Sequence, residues 1–269
     1  MTQFNIIDAI SSGFVRMWQE KAALARMAVL PLLLGIFGRI IFFRHALYDE
    51  PSMALIALDI PWALALYWYL AQATRLYGFH ERPGFLSPGE DRNPARLACL
   101  KISLLYGFGF YMALSILTFL YGAMMQWLVG NNTFGRNYGM ILFYGLLVWS
   151  LRYAILYTPI ALGYHPRAFL ARVRDWMFPL RIMMTGVGIG FLLFLPAMLI
   201  LTVVLNSMHF DPATLSQGID AFTNGQKILI ASYEIVFVLL FMTVFNGALV
   251  HITQAVMAEN NANTPNRKI

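Results

Sequence analysis

A chain of 269 residues that is 59% hydrophobic and only 12% charged has too little charge to cover a water-soluble fold, whose residues are about one quarter charged. Composition therefore predicts an all-α integral membrane protein built as one compact domain, with no separate soluble module. The lone cysteine, Cys99, excludes an intrachain disulfide and a cysteine-based metal cluster.

The N-terminal stretch lacks the basic, then apolar, then small-residue order of a cleavable signal peptide. Thr2 stands where N-myristoylation requires glycine, so insertion is expected to rest on internal spans. Residues 1–22 read as an amphipathic interfacial helix. At 100° per residue, Phe4, Ile6, Ile7, Ile10, Phe14, Val15, Met17 and Trp18 share one half of the wheel, with Asn5, Asp8, Ser12, Arg16, Gln19 and Glu20 on the other. Such a helix lies in the headgroup plane with its apolar face down, and Arg16 and Trp18 suit the role of interfacial anchors.

A hydrocarbon core of roughly 30 Å needs about 20 apolar residues in helix. That ruler predicts six spans, at 25–43, 53–74, 100–127, 139–162, 182–206 and 229–257, within a transmembrane domain over 23–258. The third is uncharged from Ile102 to Gln126 and the fifth from Ile182 to Asn206. The first two contain Pro31 and Pro61, which membrane helices tolerate because neighbours serve the freed carbonyls. The connection 75–98 is rich in turn residues (Arg82-Pro83-Gly84, Ser87-Pro88-Gly89), and Asn93-Pro94 reads as a cap and first-turn proline. After the fourth span a second short surface helix is predicted. Pro166 opens it, and Phe169, Leu170, Val173, Trp176 and Met177 form its stripe, with Arg174 and Trp176 as anchors. Val15-Arg16-Met17-Trp18 and Val173-Arg174-Asp175-Trp176 admit a duplication, or simply the preference of interfacial helices for Arg and Trp. Residues 207–228 read as a polar loop, and the Asn-rich tail 259–269 as disordered.

Thirteen basic residues, Arg16, Arg75, Arg96 and Arg172 among them, flank one side of the six spans, against Arg44, Arg136 and Lys227 on the other. Under the positive-inside rule both termini are cytoplasmic. The net charge of +6 then reflects topology and anionic headgroups at the cytoplasmic face rather than nucleic acid.

Ionisable groups within the spans are costly and mark the candidate sites. Arg39 and Asp59 fall at similar depth on neighbouring helices, so they are expected to pair, either as a structural staple or as a charged site. Arg152, near the middle of the fourth span, and Glu234, in the outer part of the sixth, form a second candidate pair if those helices touch. Arg152 is the residue best suited to an anionic substrate or lipid headgroup. Asn246, His251 and Gln254 lie in the inner half of the sixth span, with His251 and Gln254 on one face. No catalytic residue, metal site or cofactor is expected, because no nucleophile, Walker-type, dinucleotide or zinc-ligand motif occurs. Gly186-x-Gly188-x-Gly190 reads as close helix packing.

Thr158-Pro159-Ile160-Ala161-Leu162, followed by the basic, Trp-containing stretch Pro166 to Trp176, resembles the uncharacterised YciC-like six-span bacterial membrane proteins. Asp175 stands where those proteins tend to carry Ser. The resemblance implies a multi-pass bacterial inner-membrane protein and carries over no functional residue. Three function classes follow. The first is a non-catalytic protein that scaffolds or modulates membrane partners or lipid, with a membrane-protein partner or a second copy as company. The second is a small-solute transporter or channel with Arg152 in a mid-membrane cavity. The third is an intramembrane enzyme.

Overall fold

The computed structural model describes residues 4–44, 53–82, 94–129, 133–207 and 222–263, and among them every regular element is helical. Asn5 opens α1 (Ile6–Gln19) by accepting the Ile7 amide at 3.0 Å, which serves one of the orphan donors of a helix start. After Glu20 the chain turns directly into α2 (Lys21–Arg44) and continues as α3 (Met53–Phe79), α4 (Pro94–Val129) and α5 (Thr133–Ala154). The short α6 (Tyr157–Ala161) and α7 (Pro166–Arg172) lead into α8 (Met177–Ser207) and α9 (Asn224–Asn263).

Among the described residues, four helices are long and apolar enough to cross a bilayer: α2 over Lys21–Ile41, α4 over Pro94–Gly122, α8 over Met177–Ser207 and α9 over Asn224–Ala258. They are the helices of a membrane-embedded, multi-pass chain. The other two expected spans, α3 and α5, are helices of 27 and 22 residues. Gln72, Thr74 and Arg75 interrupt the apolar run of α3, and Thr74 and Arg75 bond to other helices as described below.

The expected fourth span, 139–162, is divided in two. Past Ala154 the Leu156 amide turns to the Tyr153 carbonyl and the Thr158 amide to the Ile155 carbonyl, at 3.1 and 3.0 Å. Pro159 explains the break, because a proline has no amide for the carbonyl four residues back and its ring presses on that carbonyl, here Ile155. All five residues of α6 are buried. At the far end α9 continues to Asn263, into the stretch expected to be disordered. Residues 83–93, with most of the turn residues of the connection 75–98 and the cap at Asn93, and most of the polar loop 207–228 lie outside the described residues.

α3 and α9 form the centre. From Tyr69 to Tyr77 α3 is buried at every position but Gln72, and α9 is buried from Val244 to Ile252 at all but two. α1 packs across α9 so closely that backbones touch. A Cβ added to Gly13 would stand 2.5 Å from the Val244 carbonyl oxygen, and one on Gly247 would stand 3.1 Å from Gly13 Cα. Ile10 fills the space beside Gly188 of α8, and Phe4 meets Phe178 edge-on at 5.9 Å. The apolar stripe of α1 is therefore divided. Phe4, Ile10, Phe14 and Met17 pack on the protein, whereas Ile7, Val15 and Trp18 remain exposed.

The lateral surface is apolar. Phe37 on α2, Leu105 and Leu117 on α4, Ile141 and Leu146 on α5, and Phe191, Leu199 and Val203 on α8 are all exposed. In water such a girdle exceeds the patches a soluble monomer shows, while in hydrocarbon it carries no exposure cost.

The glycine crossing makes a direct expectation. Gly13→Val should lower stability in detergent by about 1–3 kcal/mol, the cost of overpacking a tight contact, read as a drop in thermal denaturation midpoint. Gly109→Ala, where an added Cβ meets nothing within 4 Å, should be neutral or slightly stabilising.

Candidate functional site

Three polar clusters stand out, and the first begins with a local need of the backbone. The last carbonyls of a helix have no partner within their own helix. At the end of the bundle where α3 finishes and α4 begins, arginines from other helices fill that need. Arg75 Nη1 donates to the Ala161 carbonyl at the end of α6, at 2.8 Å. Arg16 Nη1 donates to the Tyr77 carbonyl in the last turn of α3, at 3.1 Å, and its Nη2 to Gln254 Oε1 at 2.9 Å. Arg172 Nη1 also reaches a carbonyl, that of Met257 at 3.2 Å, although this one lies within α9 rather than at its end. Positive charge at a helix C-terminus also complements the helix dipole.

Arg75 is itself held by Glu81 through a two-point contact, Nε to Oε2 at 2.6 Å and Nη2 to Oε1 at 2.7 Å. Arg96, at the start of α4, lies 3.2 Å from the same Oε2 and donates from Nη2 to the Arg82 carbonyl at 2.8 Å. One carboxylate thus joins two arginines that are 8% and 4% exposed. The guanidinium fork matches a carboxylate at two points, which a lysine cannot do. Burial lowers the pKa of Arg16 from its ordinary value, and the nearby Tyr77 phenol opposes that shift.

The second cluster is in the middle of the core. Asn246, fully buried, donates from Nδ2 to the Leu70 carbonyl at 3.1 Å and accepts from Tyr157 Oη at 3.2 Å. The Thr74 hydroxyl lies 3.1 Å from the same Asn246 oxygen and 2.8 Å from the Leu70 carbonyl. Tyr69 Oη meets the Thr243 hydroxyl at 2.5 Å, and that hydroxyl donates to the Leu239 carbonyl at 2.6 Å. Ser103 of α4 donates to the Tyr157 carbonyl at 2.7 Å, next to the break before α6. These bonds connect α3, α4, α6 and α9.

The third cluster lies toward the opposite end of the bundle. Arg39 Nη2 pairs with Glu234 Oε1 at 2.9 Å, across α2 and α9. Tyr111 of α4 donates to Asp59 Oδ2 at 3.4 Å. Beneath them Gly35 admits the Trp62 ring and Ile235, both 2.8 Å from where a Cβ would stand. Three of the four charges singled out in the sequence, Arg39, Asp59 and Glu234, are thus engaged between helices at this end. The ion pair joins Arg39 to Glu234 rather than Glu234 to Arg152. Arg152 stands apart because α5 packs on α8 and α4. Its guanidinium lies 4.6 Å from the Trp149 ring centre, and Nε donates to the Trp149 carbonyl at 3.3 Å.

Of the expected anchors, Trp18, Arg174 and Trp176 are exposed, and Arg16 turns inward to Tyr77 and Gln254. Gln254, the partner expected on the face of His251, is held by Arg16. Among the described residues no three His, Cys, Asp or Glu side chains gather as a metal site would require. A cleft of about 240 Å³ between α4 and α5 is lined by apolar side chains with Tyr121 and Ser150 at its edges. A second groove, of about 370 Å³, runs between α1, α2 and α9. Arg152 lines neither of them. In the sequence Arg75 and Arg96 counted only as topology markers, and Glu81 was not singled out. The signal was present, since Glu81 is an acidic residue among bases just past a helix end.

Comparison with protein-family models, with curated proteins and with solved structures finds no match to this chain.

Two outcomes test this geometry. Glu81→Gln should destabilise the protein by about 2–3 kcal/mol, short of the cost of breaking a fully buried pair because the Glu81 side chain keeps 29% exposure. Denaturation in detergent measures it. For the opposite end, Glu234→Arg should destabilise and Arg39→Glu with Glu234→Arg should recover part of the loss, with a coupling of about 1 kcal/mol in a double-mutant cycle.

Proposed function

We propose that this chain is a six-span, non-catalytic inner-membrane protein with both termini in the cytoplasm, which scaffolds membrane partners or modulates the surrounding lipid. In this reading α3 and α5 join the four apolar helices as spans, and the end that carries Arg16, Arg75, Arg96 and Arg172 faces the cytoplasm. The excess of basic residues on that side supports the orientation. The resemblance of Thr158–Leu162 and Pro166–Trp176 to the YciC-like proteins supports a bacterial inner membrane.

One observation carries the functional reading. Several charged and polar side chains inside the bundle are directed at other elements of the fold, as in Arg75–Glu81–Arg96, Asn246 with Leu70 and Tyr157, and Arg39–Glu234. Groups committed in this way hold a shape, and the shape presents an apolar flank with cations at one rim. That is the surface a partner helix or a lipid shell meets. A transporter of a small anionic solute is the second reading, favoured by the convergence of Arg39, Asp59, Tyr111 and Glu234 from four helices, and on that view Arg152 would open to a mid-membrane cavity. The neighbours of Arg152 are instead the aromatic rings of its own helix.

Purification of the full chain in mild detergent, with protein partners and retained lipid both identified, separates these readings. A reproducible stoichiometric protein partner, or a defined lipid complement, is expected. Retention of a small solute that Glu234→Ala releases would instead establish the transporter.

A further inference from the structure

The groove between α1, α2 and α9 has a shape that its place in a membrane explains. Its α2 wall is formed by Lys21, Leu24, Ala25, Ala28 and Leu32, which share one face at three- and four-residue spacing. From Lys21 to Leu32 that wall is roughly 16 Å long at 1.5 Å per residue, about one leaflet of a hydrocarbon core near 30 Å. The α9 wall is aliphatic, with Val236, Leu239 and Leu240. The floor is closed by the Tyr69–Thr243 hydrogen bond, whose polar atoms serve each other. The groove is wide where α2 offers alanines, and an alanine face leaves a channel where leucine would fill it.

The mouth is different in kind. Lys21 and Trp18 stand there, both exposed, with the ammonium 3.8 Å from the indole ring centre. Trp at the membrane–water boundary and a lysine beside it form the usual pairing at headgroup level, and the ring holds the cation over the groove's entrance. The nearest acid in sequence, Glu20, faces His80 Nδ1 at 3.3 Å, and Arg16 points inward to Tyr77 and Gln254.

We propose that this groove holds an acyl chain of an anionic phospholipid from the leaflet on the basic side, with its headgroup phosphate at Lys21 beside Trp18. The apolar walls receive the chain, the leaflet-length wall sets its depth, and the cation selects the headgroup. The inference deepens the lipid-modulating reading above and rests on the chain being embedded in a membrane.

The test uses the full chain in mild detergent, offered equal amounts of dioleoyl phosphatidylglycerol and dioleoyl phosphatidylcholine, with bound lipid counted by native mass spectrometry. The wild type should retain phosphatidylglycerol in preference. Lys21→Glu should lower that retention at least about fivefold, the change that loss of one headgroup-level cation alone implies, and leave phosphatidylcholine unchanged. Ala25→Trp, which fills the channel from an exposed position, should remove one bound lipid of either kind. Leu240→Trp should do the same from the facing wall should Ala25→Trp fail to fold. Leu199→Trp, on the exposed face of α8, should change nothing. Equal retention of both lipids by the wild type, or unchanged retention in Lys21→Glu or in the groove-filling variants, would overturn the proposal. Recovery of the chain as a monomer in water without detergent would instead overturn the membrane reading beneath it.

Discussion

A buried helix end must find acceptors and donors outside itself, and in a membrane water is not there to supply them. The basic end of this bundle meets that constraint with arginine. Taking a guanidinium out of water costs several kcal/mol, and a single bond does not offset that. Arg75 makes three, two to Glu81 and one to the Ala161 carbonyl. Arg16 makes two, to a carbonyl of α3 and an amide oxygen of α9. These bonds fix where α3 stops, where α6 stops and where α4 begins, so the positions of the long helices follow from them.

α9 is the strut that the other elements share, and its sequence assigns a face to each. Thr243 and Asn246, three residues apart, turn toward α3 and α6 with hydrogen bonds. Val244, Gly247 and Ala248 turn toward α1 with bare backbone. Ile235 and Glu234, more than two turns earlier, meet α2. The hydrogen-bonded face gives direction and register, since Asn246 satisfies its amide and its carbonyl only in one arrangement. The glycine face gives proximity, and close approach allows dispersion contacts to accumulate where no hydrophobic driving force separates helix from lipid.

The helical, membrane-embedded class was legible from composition, and α8 and the middle of α4 from their uncharged runs. The break before α6 was legible too in principle, because Pro159 sits within the last turn of the expected span, but proline within a membrane helix is common enough to pass unremarked. The placement of α1 was not legible. Its stripe of Phe4, Ile10, Phe14 and Met17 has the same period whether it rests on acyl chains or on α8 and α9, because both surroundings are apolar. Gly13 in that stripe was the hint, as it marks the point of closest approach. The partner of Arg39 was hidden for a related reason. A short connection makes α2 and α3 neighbours, but it says nothing about α9, which returns from the far end of the chain to stand beside α2. Asp59, by the same geometry, meets Tyr111 of α4.

The two ends of the bundle use charge in different ways, and the difference bears on what the protein does in a membrane. At the basic end the arginine side chains of Arg75 and Arg96 are almost wholly covered and share Glu81, with Arg75 also committed to the end of α6. At the opposite end the Arg39–Glu234 pair keeps side-chain exposures of 26% and 40%, so it is held less firmly and can exchange partners at less cost. Between those ends the flank is oil-like, and clefts in an oil-like flank fill with acyl chains. On the proposed lipid- or partner-binding reading, a protein of this build would distinguish one lipid or partner from another mainly at its rims, where a few cations stand beside tryptophans, because the apolar middle accepts any hydrocarbon equally well.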